Sequence, residues 1–342
     1  MMPHETQTPR GSSFASLLSQ RSVQIAIAVW LLANALVLTL GRDGLPFDRP
    51  SLAGTPVAQQ VIFANAGLLE VFGLIWVVYA LTRRRVIPDV AARAPDPDTA
   101  RREVLLLVAY GILAQAGGYL LGRASGWHPF GFHIAGTIYG TGDVVTPAEV
   151  YAWSAYNFIA YAVLPFAFFR RRYSSEQLNL RSSNRRNDLL VIVVILAIES
   201  IVELVALNHD IFGLTASQFL LGVPLTFVLY FLGTVMPTMI FIYCILVPRY
   251  LRLTGSVATT VILGGLTYAL LHVFEGWTMF DLPRNAALSV ALVLLQYFGP
   301  GMIKTVLTLR TGNAWVHVWA YHAIAPHVIA DAQTMVKVFG IK

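Results

Sequence analysis

Apolar runs of about twenty residues recur along the chain, and they limit its fold more than any other feature. They cover residues 22–40, 61–82, 104–122, 151–169, 188–207, 219–248, 256–274, 287–308 and 314–331. A helix needs about 20 apolar residues to cross a hydrocarbon layer ~30 Å thick. Within that layer a helix satisfies its own backbone polar groups. We therefore predict an all-α fold, a polytopic transmembrane helical bundle of about nine spans.

The composition agrees with a membrane protein and argues against a nucleic-acid partner. Hydrophobic residues make up 56% of the chain and charged residues 12%, and the mean hydropathy is +0.63. The charged fraction is about half that of a soluble domain. The net charge of +6 comes from arginines at the ends of apolar runs, where they determine topology. Cys244 is the only cysteine, which excludes an intrachain disulfide and a cysteine-based metal site.

Basic residues alternate between successive loops. The basic loops follow the second, fourth, sixth and eighth apolar runs, and the other loops carry few lysines or arginines. Since cytoplasmic loops carry the excess of basic residues, the N-terminus is predicted to be cytoplasmic and the C-terminus external. The first run lacks a small-residue cleavage pattern and is read as a retained span. We predict a multi-pass protein of the plasma (inner) membrane, in contact with membrane lipids.

Two polar segments suggest how the chain is divided. Residues 1–21 form a polar cytoplasmic N-terminus, and residues 170–187 form a basic cytoplasmic linker. The linker would separate an N-terminal four-span membrane module, 22–169, from a five-span membrane domain, 188–342. The external loop 123–150 is rich in glycine and aromatic residues, and we expect it to fold partly back onto the bundle.

Three glutamates lie within predicted spans: Glu70, Glu199 and Glu203. Glu199 and Glu203 are four residues apart and share a helix face. An ionisable residue at membrane depth indicates a functional site by default. The alternative is structural: a carboxyl group paired with a polar neighbour and kept protonated by burial. Both interpretations stay open for these residues.

The stretch YALLHVFEGW, 268–277, places His272 one turn after Tyr268 and one turn before Glu275. Glu275 could orient the imidazole of His272, as carboxylates do for catalytic or metal-bound histidines. Alternatively, Glu275 lies at the external end of its span, where a solvated carboxylate costs little. Under that interpretation His272 is a structural histidine.

The last run carries His317, His322 and His327. At 100° per residue, successive histidines lie about 140° apart around an α-helix, so all three should not share a face. The sequence therefore predicts no metal site on this helix, and we expect no cofactor. Pro326 should interrupt the helix and release the carbonyl of His322 from its backbone hydrogen bond.

The order of motifs in residues 165–331 resembles the CPBP intramembrane proteases, the group of CAAX-processing and bacteriocin-immunity (Abi-like) proteins. Members show an E-E-x-x-x-R helix, an F-x-x-x-H helix and an H-x-x-x-N helix. Here MPTMIFIYCILVPRYLRLTG occupies the first position, Tyr268-x-x-x-His272 the second, and RTGNAWVHVWAYHAIAP the third. In the third motif His322 matches the family histidine and Pro326 replaces the asparagine. The NLRSS stretch at 179–183 resembles the short basic segment before the family core.

The first motif departs from the family pattern. The two family glutamates fall on Thr238 and Met239, and the family arginine falls on Tyr243. The resemblance implies that the first glutamate is a general base that activates water. It also implies that the two histidines, here His272 and His322, stabilise an oxyanion or, in older views, bind a metal. Threonine and methionine cannot accept a proton near neutral pH, and general-base help is typically worth ~10²–10⁴ in rate.

The function that we predict from these residues is binding without catalysis. The catalytically degenerate cavity would be lined by Thr238, Met239, Tyr243, Tyr268 and Pro326. It would hold a membrane peptide, a lipidated substrate or a partner protein.

Two alternatives to binding stay open, and the enzyme status is therefore not settled by the sequence. The chain could be an active intramembrane peptidase in which Glu199, Glu203 or Glu275 serves His272 and His322 as a relocated acid. That alternative requires a carboxylate within hydrogen-bond reach, or one water, of the histidines. The second alternative is a transporter or channel, because QYFGPGMIK and LGTVMPTM resemble the broken helices at transporter substrate sites.

Overall fold

The computed structural model describes residues 14–47, 52, 54–133, 145–207 and 209–342, and every regular element in them is helical. The helices are α1 Phe14–Leu18, α2 Arg21–Leu40, α3 Val57–Leu81, α4 Pro97–Ala124, α5 Pro147–Arg170, α6 Arg185–Val202, α7 Ala216–Thr254, α8 Val257–Leu271, α9 Pro283–Thr311 and α10, which covers 314–338 in consecutive pieces. The prediction of an all-helical fold is thus confirmed for the part of the chain that is described.

Among the described residues, six helices are long and apolar enough to cross a membrane: α2, α3, α4, α5, α7 and α9. The prediction of an integral membrane protein follows from these helices, whose exposed apolar faces contact lipid. The remaining predicted spans coincide with α6, α8 and α10. α8 is apolar but has only 15 residues, α6 begins with charged residues, and α10 is interrupted.

The core of the bundle is built around α9. Of its apolar stretch 56% is buried, against 11% for α2 and 17% for α4. α9 packs against α8, α3 and α2. Glycines allow the closest of these approaches: a Cβ on Gly301 would lie 2.6 Å from the Cβ of Tyr268 and 2.8 Å from the Cα of Gly265. Small residues at such crossings let two membrane helices come into backbone contact.

Several helices contain wider, π-helical turns. They occur at Phe158–Val163 in α5, at Phe231–Val235 and Met239–Leu246 in α7, and at Val318–His322 and Ile324–Ile329 in α10. Pro165, Pro237 and Pro248 each come two residues after the end of such a segment. Since proline has no N–H to donate to the carbonyl four residues back, the preceding backbone is free to bond at i to i+5.

A buried polar network holds together the helix ends that lie near Arg85 and Arg93. Arg85 forms an ion pair with Asp188, and Asn313 donates to the second carboxylate oxygen of Asp188 at 2.9 Å. Arg93 donates to the side chain of Asn179 at 2.7 Å and to the carbonyl of Gly312. Asn179 belongs to the NLRSS stretch and Gly312 to the RTGNAW turn. Arg93 therefore contacts both of these segments, which are part of the family resemblance.

Gly312 ends α9 in a left-handed conformation, with φ +62°. The next residue, Asn313, accepts a hydrogen bond from the backbone of Trp315 and begins α10. A Cβ at Gly312 would lie 2.8 Å from the ring of Pro88 and 2.9 Å from the guanidinium of Arg93. The turn therefore requires glycine for both its backbone conformation and its packing.

Polar side chains also cap the long helices. Asp96 begins α4 by accepting a hydrogen bond from the backbone N–H of Thr99, and this bond lowers the pKa of the Asp96 carboxyl. Thr146 and Glu149 form a reciprocal capping box at the start of α5. Such caps satisfy backbone N–H groups that have no partner within the helix.

Candidate functional site

The helices that carry the three motifs converge in the interior. The hydroxyl of Thr238 on α7 lies 3.4 Å from Nδ1 of His322 on α10, and the hydroxyl of Tyr268 on α8 lies 3.2 Å from Nε2 of the same ring. Tyr243 of α7 packs on His317 of α10, with ring centroids 4.2 Å apart. The structure thus brings Thr238, Tyr243, Tyr268 and His322 together around one buried region.

The two positions that would carry the family glutamates offer no acid. Thr238 is fully buried, and its hydroxyl bonds to the carbonyls of Thr234 and Val235 in its own helix, at 2.9 and 3.1 Å. Met239 is also fully buried. An acid that serves the histidines has to come from another part of the chain.

The histidines of α10 lie along one side of the helix. His317, His322 and His327 are all buried, and the ring centroids are 6.1 Å apart for the first pair and 5.1 Å for the second. The expectation that they point in different directions is wrong. It assumed regular α-helix, whereas the segments Val318–His322 and Ile324–Ile329 are π-helical. Five residues make about one turn in that conformation, so residues five apart stack.

Pro326 lies within the second of these π-helical segments and is partly exposed. The predicted interruption of α10 is therefore present as a change of helix type. The backbone continues without a loop, and Ala323 donates to the carbonyl of Val318 at 2.8 Å.

A further histidine, which the sequence did not single out, comes from the loop between α4 and α5. His133 is buried, with ring centroids 4.9 Å from His272 and 5.1 Å from His327. The loop reaches the bundle because Gly131 packs against the backbone at Phe274, where a Cβ would lie 2.4 Å from the carbonyl oxygen. The described part of the loop is therefore folded back onto the bundle. A single histidine in a glycine-rich loop has no periodicity that could have identified it.

The carbonyl group of Gly131 is held by α5. Trp153 donates its indole N–H to the carbonyl of Gly131 at 2.7 Å, and Asn157 donates its amide to it at 2.8 Å. Two buried donors on one acceptor hold the backbone of the loop in place next to His133. Contacts with α5 and with the segment after α8 thus hold the backbone next to His133 in place.

Glu275 faces this pair of histidines. It is only 2% exposed, so its interpretation as a solvated carboxylate at the end of its span is wrong. Its carboxylate lies 3.5 Å from Nδ1 of His133 and 3.3 Å from the backbone nitrogen of His133. Potential ligand atoms of His133, His272 and Glu275 all lie within 4.8 Å of one another. The cause of the burial is the loop, which covers the segment after α8 in a way that helix periodicity does not reveal.

The other candidate acids lie elsewhere. Glu199 on α6 lies near Glu70 on α3 and Tyr321 on α10. The ammonium group of Lys304 lies 3.7 Å from the ring centroid of Tyr268. Of Glu199, Glu203 and Glu275, it is Glu275 that the structure brings to His272.

The backbone determines which nitrogen of His272 is available. Its Nδ1 lies 2.6 Å from the carbonyl of Tyr268. Because a carbonyl only accepts, Nδ1 carries the proton and Nε2 keeps a lone pair. Nε2 is buried without a hydrogen-bond partner among the described residues, and the same holds for Nε2 of His327. These two basic nitrogens are available to a proton, a water molecule or a metal ion.

Comparison with known proteins adds no relative: no family model, no curated protein and no solved structure matches the chain. The functional interpretation therefore depends on the geometry of His133, His272, Glu275, His322 and their neighbours. For reference, we call His133, His272 and Glu275 the histidine–glutamate centre.

Proposed function

We propose that the protein is an intramembrane hydrolase that resembles the CPBP proteases and uses Glu275 as a relocated carboxylate. The observation that supports this function is the position of Glu275, within 4.8 Å of a ligand nitrogen of His272 and 2% exposed. A separation of this size is spanned by one water molecule. The carboxylate and the imidazole would hold that water next to the bond that it attacks.

The substrate class follows from where the centre lies. The histidine–glutamate centre is buried in a bundle whose outer helices are apolar over their length. A substrate must therefore reach it from the lipid phase or through an opening between helices. A membrane-spanning peptide or a lipidated peptide meets that requirement. In the same proposal the chain crosses the membrane nine times, with the basic loops in the cytoplasm.

In this proposal His322 would act on the substrate carbonyl and not on the water. Its ring is 5.1 Å from that of His327 and bonds to the hydroxyls of Thr238 and Tyr268. These two hydroxyls fix the orientation of the ring, and the imidazole would stabilise the oxyanion that forms when a carbonyl is attacked.

The test is hydrolysis of a membrane-spanning peptide library by the full-length protein in lipid vesicles. Glu275→Gln, which keeps the shape of the side chain and removes its charge, should lower the rate at least ~10²-fold. Glu70→Gln, an intramembrane carboxylate outside the centre, is the matched control and should retain the wild-type rate. Cleavage that is equally fast in wild type and Glu275→Gln would exclude this role for Glu275.

The second candidate function is binding without catalysis, and the residues at the family glutamate positions favour it. Thr238 and Met239 cannot act as bases, and His272 is fully buried. A protein of this kind would bind a membrane peptide or a lipidated peptide and release it intact. Photo-cross-linking in the same vesicles distinguishes the two functions, because only binding leaves the bound peptide at full length.

A further inference from the structure

We propose that the histidine–glutamate centre binds one zinc ion, with His133, His272 and Glu275 as its ligands and one open position. This inference extends the proposed function, since it names what would hold and activate the water. Two of the three ligands, His133 and Glu275, lie outside the motifs of the family resemblance. The positions of the side chains support the zinc site, and they can be compared with the geometry that zinc requires.

The first step is the type of ligand. Two imidazoles and one carboxylate are a ligand set that zinc accepts in catalytic sites, where a water molecule takes the fourth position. Magnesium and calcium prefer oxygen ligands, and the two histidines disfavour both ions. The single cysteine, Cys244, is buried in α7 and is not part of the centre.

The second step is the spacing. With Zn–N and Zn–O distances of ~2.0–2.2 Å and tetrahedral angles, ligand atoms lie roughly 3.4 Å apart, and the centroids of two bound imidazoles lie about 5 Å apart. The carboxylate of Glu275 and Nδ1 of His133 are 3.5 Å apart, and the ring centroids of His133 and His272 are 4.9 Å apart. Both separations agree with the tetrahedral values. The ligand atoms of all three residues lie within 4.8 Å of one another, and side-chain rotation would shorten the widest separation when an ion binds.

The third step is the state of the ligand atoms. Nδ1 of His133 and Nε2 of His272 are buried and have no hydrogen-bond partner within the described residues. A buried polar atom without a hydrogen bond is destabilising, so these two atoms need an explanation. Nδ1 of His133 lies 3.5 Å from the carboxylate of Glu275. A bound cation satisfies both lone pairs and neutralises the buried charge of Glu275.

The fourth step is support from the surroundings. A histidine that binds a metal usually donates its other ring N–H to a carbonyl or carboxylate. His272 does so through Nδ1, 2.6 Å from the carbonyl of Tyr268. The rings of both histidines also stack on Tyr297, with centroid distances of 4.0 Å for His272 and 5.4 Å for His133. The ring orientations are thereby fixed before an ion arrives.

The test measures zinc directly on the full-length protein in detergent. After removal of metal with a chelator, we expect one zinc ion to bind per chain by elemental analysis. Cobalt added in place of zinc should give the visible absorption of a tetrahedral site. Wild-type protein that binds less than one zinc per two chains, or cobalt that stays octahedral, would overturn the proposal.

Variants identify the ligands. His272→Gln and Glu275→Gln remove one ligand each with little change of volume. Changes in the groups that merely support a ligand weaken metal binding 10–100-fold, so loss of a ligand should weaken it more than ~100-fold. His317→Gln is the matched control, since His317 is equally buried and also has an unpaired Nε2, but it lies outside the centre. Equal losses in all three variants would contradict the assignment.

Folding is monitored in the same samples, so that a misfolded variant is recognised. The wild type and His317→Gln should both gain thermal stability when zinc is added, whereas the two ligand variants should gain none. The outcome is separable from that of the hydrolysis experiment. Zinc binding without cleavage supports the zinc site and contradicts the hydrolase. Cleavage that persists in metal-free protein supports the hydrolase and contradicts a zinc ion that activates the water.

Discussion

Arg249 and Glu103 show how a single buried ion pair joins the two halves of the chain. Nε of Arg249 donates to Glu103 at 2.7 Å, and the side chains are 1% and 6% exposed. Tyr173 donates to the other carboxylate oxygen at 2.7 Å. Burial raises the pKa of Tyr173 to about 12, so this hydroxyl stays a donor at neutral pH. Every strong partner of the Glu103 carboxylate therefore lies outside α4.

Removing one member of this pair should destabilise the protein strongly. Glu103→Gln leaves the guanidinium of Arg249 buried without a counter-charge, and such a change typically costs 3–5 kcal/mol. Cys244 is the only cysteine and is buried in the folded protein. A fluorophore that reacts with thiols therefore reports unfolding of the variant in detergent as temperature rises.

The double variant Glu103→Gln/Arg249→Met is the control for this prediction. It removes the pair as a whole and should recover a large part of the lost stability, since replacing a buried pair by apolar side chains is often nearly neutral. A single variant that unfolds at the wild-type temperature would contradict the prediction.

At the scale of the helices, the positions of the six long apolar helices could be predicted from the chain, whereas their internal geometry could not. Predicted span 287–308 corresponds to Pro283–Thr311, and 151–169 to Pro147–Arg170. Hydrophobicity over about 20 residues is a local property, and it locates a helix in a membrane. The π-helical turns depend on proline positions and on packing against neighbours. Because of these turns, the prediction that His317, His322 and His327 point in different directions was wrong.

The contact between α8 and α9 gives a second prediction. It fixes the position of Tyr268 and of the C-terminal end of α8, where His272 lies. Gly301→Ala places a Cβ 2.6 Å from the Cβ of Tyr268 and 2.8 Å from the backbone of Gly265. Neither neighbour can move without shifting α8, and overpacking of this kind costs about 1–3 kcal/mol. We expect a lower unfolding temperature and at least a tenfold weaker zinc affinity.

Gly67→Ala in α3 is the matched control for Gly301→Ala. A Cβ at Gly67 meets no atom within 4 Å, and alanine favours helix over glycine by about 1 kcal/mol. This variant should therefore be as stable as the wild type or slightly more stable, with unchanged zinc binding. Equal effects of the two substitutions would show that the crossing of α8 and α9 does not position the centre.

At the scale of the whole molecule, the centre joins parts of the chain that lie far apart in sequence. His133 precedes the basic linker 170–187, whereas His272 and Glu275 follow it. The motif analysis identified Tyr268, His272 and His322 because their order could be compared with a family pattern. It placed Glu275 at the membrane surface because it treated the end of α8 alone. The loop that buries Glu275 is a tertiary contact, and no local pattern encodes it.

The orientation of the molecule is the last prediction. Val86 lies among the basic residues after α3 and is 91% exposed, Ser125 follows α4, and Lys342 ends the chain. If α4 to α10 each cross the membrane, Val86 is cytoplasmic and the other two positions are external. In intact cells, a thiol reagent that cannot cross the membrane should label Ser125→Cys and Lys342→Cys. It should label Val86→Cys only after the membrane is opened, and wild type, whose Cys244 is buried, should stay unlabelled in both conditions. A Lys342→Cys variant that is protected in intact cells would mean an even number of crossings between residues 86 and 342, and one or all three of α6, α8 and α10 would then not span the membrane.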